Sequence, residues 1–111
     1  GINNLSEIVA EEQNYLEKIV NNIYSQIKIE ETKEKVILDL KEFNKQDTII
    51  KKRILLLSIS RIFGTSQNIE RIHIEDIIKL CERNIGNKYL TPNKNVKVFV
   101  NKGKIIISHT Y

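Results

Sequence analysis

Residues 47–64, DTIIKKRILLLSISRIFG, decide the fold of this chain. After Arg53 nearly every residue is apolar or small, and a helix that is apolar around most of its circumference must be covered by neighbours on several sides. Asp47 or Thr48 supplies an N-terminal cap, and Gly64 stands where a helix can end in the left-handed conformation. Lys51, Lys52 and Arg53 crowd the first turns and Arg61 follows two turns later, so a buried rod carries a cationic end.

Upstream, Leu5, Ile8, Val9, Tyr15, Leu16, Ile19, Val20, Ile23 and Ile27 recur at the three-four spacing of one stripe, which predicts one amphipathic helix from Asn3 to about Gln26. Asn3, Asn4 or Ser6 followed by Glu7 provides the cap and an acidic first turn. At about 1.5 Å per residue the helix is on the order of 35 Å long, enough to connect two bodies. Residues 29–46 are strongly charged around Val36, Ile37, Leu38 and Leu40, a patch that fits a short strand or one helical turn equally well.

Downstream, Ile74, Ile77, Ile78 and Cys81 share one face of a helix from about Glu70 to Arg83, with Asn84, Ile85 and Gly86 as its exit. The period then changes to two. Val96, Val98 and Val100 alternate with Lys97, Phe99 and Asn101, a turn follows at Asn101, Lys102 and Gly103, and residues 105–108 return as a β-hairpin. Tyr89 to Thr91 can add a short strand, stopped by Pro92 and an Asn93-Lys94 turn. The expected order is helix, helix, helix, hairpin. The expected fold is α+β: a long connector helix over 1–28, then a small helical domain over 29–111 that ends in a β-hairpin or three short antiparallel strands.

The chain has 111 residues, the size of one ordinary domain. No apolar run approaches the roughly 20 residues of a membrane span, and no signal peptide opens it. The single cysteine, Cys81, reads as a buried, reduced thiol, which points to the cytoplasm. The net charge of +4 is unevenly divided: residues 1–46 hold 6 basic against 9 acidic residues, residues 47–111 hold 12 against 5. The second half is therefore the one suited to a polyanion.

Catalytic chemistry is hard to find. His73 and His109 lack the spaced companions that zinc needs and suit capping or surface positions; Glu75 and Asp76 are adjacent rather than facing, and no glycine-rich phosphate loop occurs. The expected catalytic and metal sets are empty. The basic residues carry the positive signal: Lys51, Lys52, Arg53 and Arg61 near the central helix, and Lys88, Lys94 and Lys97 near the hairpin, are the expected phosphate contacts. Tyr89 and Phe99 can stack on an unpaired base, although core packing is the commoner role of a hairpin aromatic.

From Arg53 onward the pattern resembles the middle part of bacterial tRNA(Ile)-lysidine synthetases. The resemblance runs through RILLLSISRIFG, the helix opening near His73-Ile74-Glu75 and ending in Leu80, the run Gly86-Asn87-Lys88-Tyr89-Leu90-Thr91-Pro92, and the hairpin of Val96, Val98 and Ile105 to Ile107. LSEIVAEEQNYLE, from Leu5, is similar to the family's glutamate-rich linking helix. Thr91 stands where a Leu is usual, and Asn93-Lys94 replaces a glycine-containing turn. The resemblance implies an enzyme that uses ATP, with Mg, to adenylate the wobble cytidine of a CAU anticodon and then replaces its oxygen with lysine. Those steps belong to an N-terminal domain with a Ser-Gly-Gly-x-Asp-Ser loop, which this sequence does not contain, and an opening Gly in place of Met suits an excised piece. The implied role of this chain, inactive and cofactor-free alone, is to position tRNA(Ile) for the N-terminal catalytic domain. Two other readings compete: a winged-helix DNA-binding module, weakened by the acidic residues of the helix over 70–83, and a protein-interaction domain that forms a homodimer through the first helix.

Overall fold

Alternation in the C-terminal third dictates a sheet with one buried face, and the helices supply its cover. The computed structural model describes residues 5–83 and 88–110. In chain order the elements are α1 (Leu5–Ile27), β1 (Lys28–Glu31), β2 (Lys35–Asp39), α2 (Leu40–Asn44), α3 (Thr48–Phe63), α4 (Arg71–Arg83), β3 (Lys88–Leu90), β4 (Val96–Asn101) and β5 (Lys104–His109). All strands are antiparallel in one five-stranded sheet of order β1-β2-β5-β4-β3. The chain is α+β, as expected, with a larger sheet than the hairpin or three strands read from the sequence.

The difference lies in residues 28–44, where strand and helical turn are both present. The Thr32 hydroxyl accepts from the backbone N–H groups of Glu34 and Lys35, both at 3.1 Å, and so closes the β1–β2 turn. β2 pairs along its whole length with β5, from Lys35 opposite Ser108 to Asp39 opposite Lys104. Val36 and Leu38 point into the core while Ile37 lies on the other face. The Asp39 carboxylate then accepts from Glu42 N at 2.9 Å, capping α2, which buries Leu40 and Phe43. Because β1 and β2 intervene between the first and central helices, the helix-helix-helix-hairpin order does not hold.

The central helix α3 is covered on several sides, touching α1, α4, β2 and β5, with Ile54, Leu55 and Ile59 buried. Its ladder opens with Lys51 N–H donating to Asp47 C=O at 2.9 Å, while the Asp47 side chain makes no capping bond. Gly64 ends it with φ 78° and donates to Ser60 C=O at 2.8 Å. The buried Ser58 hydroxyl is satisfied by Ile54 C=O at 2.8 Å. At the β4–β5 hairpin, Lys102 and Gly103 have φ of 51° and 75°, the positive pair that a type I′ turn requires.

The last two turns of α1 belong to the same core through Val20, Tyr24 and Ile27. Its first turns project: Leu5, Ile8, Val9 and Tyr15 are exposed, and the molecule is 55 Å long against 27 and 25 Å across. Ser6 lies inside α1 rather than ahead of it; the Asn3 and Asn4 caps and the helix exit at Asn84, Ile85 and Gly86 fall outside the described residues. No described helix is long and apolar enough to cross a membrane.

Candidate nucleic-acid interface

Helical periodicity sorts the basic triad at the start of α3. Lys51 shares its face with Ile54, Leu55 and Ser58, three, four and seven residues on, so it is carried into the core, where it is 6% exposed. Its ammonium stands 3.5 Å from Glu82 Oε1 on α4 and 6.0 Å from the centre of the Phe43 ring. Cys81 lies in the same region, fully buried and free; burial pushes its thiol up to about 12, with the Lys51 charge acting against that and the Glu82 charge adding to it. A lysine held this way is a structural cation and presents nothing to a phosphate. Lys52, half-buried, and Arg53, exposed, have no ion pair among the described residues. Arg53 rims a groove of about 260 Å³ between α1 and α3, floored by Leu16, Val20, Leu56 and Leu57.

Arg61 is half engaged. Its guanidinium sits 3.7 Å from Glu31 Oε2 and 5.8 Å from the centre of the Tyr24 ring, and the Tyr24 hydroxyl donates to Glu31 Oε1 at 2.6 Å. Lys28 approaches the same ring at 5.7 Å. Burial first, then the hydrogen bond and charge of Glu31, push the Tyr24 phenol well above its ordinary range, against the opposing charge of Arg61. This cluster ties the end of α1 to β1 and α3.

The hairpin group lies elsewhere on the molecule. Lys88 is exposed on the edge strand β3, and Lys94 is exposed in the loop before β4, where Asn93 Oδ1 accepts from Asn95 N at 2.8 Å and Val96 N at 3.0 Å. Lys97 stands on the face of β4 opposite Val96 and Val98, with its ammonium 4.7 Å from the centre of the Tyr89 ring and 5.8 Å from that of Phe99. Both rings lie on the outer face of the sheet, so they do not take the core-packing role that a hairpin aromatic usually has; Tyr89 is 60% exposed. The structure thus brings Lys97, Tyr89 and Phe99 together and leaves Lys52 and Arg53 as a separate pair at the start of α3.

Lys104, one of the basic residues of the hairpin, lies on the same outer face; Lys35 is not singled out by the sequence and becomes legible only once β2 and β5 are paired, which brings it into line with Lys97 through Ser108. The His109 ring packs edge-on against Phe63 at 4.5 Å, and His73 Nδ1 is buried with no hydrogen-bond partner among the described residues. Among the described residues no cluster of His, Cys, Asp or Glu could hold a metal ion. The arrangement offers cations and ring faces.

No protein-family profile matches the chain. Curated proteins do. It is 29% identical over 107 residues to the tRNA(Ile)-lysidine synthase of Clostridium acetobutylicum, a match covering 96% of this chain and 23% of that protein. It is 30% identical over 105 residues to the synthase of Clostridioides difficile, covering 95% and 23%, and 36% identical over 76 residues to that of Clostridium tetani, covering 68% and 16%. The chain spans about a quarter of the length of the first two of these relatives.

Proposed function

Because this chain belongs to the tRNA(Ile)-lysidine synthase family, as a segment matching 23% of such a protein, we propose that it is a non-catalytic part of an enzyme of that kind and holds the tRNA. The observation that carries this reading is the similarity along nearly the whole chain, joined to a surface that offers cations and ring faces. In this reading the parent is an ATP-dependent, cytoplasmic ligase acting on tRNA(Ile), and adenylation of the wobble cytidine and its replacement by lysine occur in another part of the protein. This segment alone performs neither step. Lys52, Arg53, Lys88, Lys94 and Lys97 meet phosphates, each neutralised charge releasing counterions. Lys51 is left out because its ammonium is buried, and Arg61 serves chiefly to tie α1 to β1.

The exposed apolar stripe of α1, Leu5, Ile8 and Val9, supports the connector role, since a free stripe on a projecting helix suits contact with a neighbouring body. The test is a competition: the chain bound to folded tRNA is challenged with duplex DNA of equal phosphate concentration. Retention of the tRNA supports the reading; displacement at parity makes the binding generic polyanion attraction.

A further inference from the structure

The sheet has two faces, and the described helices cover one of them. Val36, Leu38, Val96, Val98, Val100, Ile105 and Ile107 point into the helical layer and are buried. On the other face the register places Ile37, Ile106, Phe99 and Tyr89 in one row across four strands. Directly paired side chains on one face lie about 5 Å apart, so the row is continuous, and it ends at the most exposed aromatic among its members, Tyr89.

We propose that Tyr89 and Phe99 form a stacking platform for unpaired bases of RNA, with Lys97 as the cation that meets the phosphate beside them. This rests on the reading that the partner is RNA, and it adds what the phosphate contacts alone cannot provide: a preference for single-stranded nucleotides. Charge selects this occupant. On the β3, β4 and β5 part of the outer face the described charged side chains are Lys97 and Lys104, both cations. The carboxylates of the face are on β1 and β2: Glu30 lies 3.5 Å from Lys35, and Asp39, in register with Lys104, caps α2. A second copy stacked with its Lys97 over this one would bring two like charges together, whereas a nucleotide brings a planar ring and an anion together. In the free chain the Lys97 ammonium rests over the rings; on binding, the base takes the ring face and the ammonium turns to the phosphate. A duplex hides its base faces and gives the platform nothing to stack on.

The test uses the full 111-residue chain with labelled aromatic side chains, titrated with a single-stranded RNA hexamer of adenine and cytosine, and separately with that hexamer paired to its complement. The expected result is ring-current shifts at Tyr89 and Phe99 with the single strand and none with the duplex. Tyr89→Ala weakens hexamer binding about tenfold while leaving its salt dependence unchanged, Tyr89→Phe restores it, and Lys97→Ala flattens the salt dependence. Rings that stay unmoved while tRNA still binds overturn the platform alone; loss of both hexamer and tRNA binding overturns the platform and the tRNA reading together. Ring shifts that depend on protein concentration without RNA assign the face to a second copy and overturn the proposal.

Discussion

Lys51 and Glu82 meet at 3.5 Å between α3 and α4, with the lysine side chain 8% exposed and the glutamate 54% exposed. The pair is asymmetric: one charge is held inside and its partner has one side in water. Removing the glutamate leaves an isolated cation in the core, whereas replacing the lysine by an apolar chain of similar length removes the charge altogether. Glu82→Gln is therefore expected to cost about 1–2 kcal/mol in urea unfolding, less than a fully buried pair would, and Lys51→Met to stay within about 1 kcal/mol of the wild type.

Alkali should unfold the chain from two sites. The Cys81 thiol, held up to about 12 by burial, keeps its proton in the folded state and loses it near 9 when unfolded. Its contribution is complete below pH 9 and is lost as pH rises towards 12. The Tyr24 phenol, also raised, adds a second loss beginning near pH 10. Each group contributes a slope of up to about 1.4 kcal/mol per pH unit, always downward with rising pH, because the folded state binds the extra proton. Chemical denaturation from pH 8 to 11 checks this: Tyr24→Phe should flatten the decline above pH 10 after a loss of about 1 kcal/mol at neutral pH for the hydrogen bond to Glu31.

Lys102 occupies a left-handed position at the hairpin, with φ 51° beside Gly103 at 75°. Asn is favoured at the first central residue of such a turn. Lys102→Asn is expected to stabilise the chain by about 0.5–1 kcal/mol, seen as a rise of a few degrees in the thermal midpoint. An unchanged or lower midpoint would contradict the turn assignment.

The sequence made α3 and the β4–β5 hairpin readable because their signals are local: a long apolar run closed by Gly64, and strict alternation closed by Lys102 and Gly103. β1 and β2 were not readable in the same way. Val36 and Leu38 gain their partners from β5, Ile107 and Ile105, some seventy residues away, and no short window of sequence contains that pairing. The burial of Lys51 was readable in principle, since its spacing to Ile54, Leu55 and Ser58 is that of one helical face; three consecutive basic residues suggested a surface cluster and outweighed it. Alternation likewise placed Lys97 and Phe99 opposite the valines of β4. What it did not contain is that the described helices pack on the other side, which leaves Tyr89 and Phe99 on the outer face.

The claim on which the account turns is that free surface cations of this segment hold tRNA while the buried one does not. The most direct measurement is tRNA affinity against salt for three proteins: wild type, Lys51→Met, and the combined Lys52→Ala, Arg53→Ala, Lys94→Ala and Lys97→Ala variant. The account predicts that the combined variant loses about 0.7–0.9 units of log-log slope for each phosphate contact removed, and that Lys51→Met matches the wild type. A combined variant with the wild-type slope, or a Lys51→Met protein that loses as much as a surface lysine would, contradicts it.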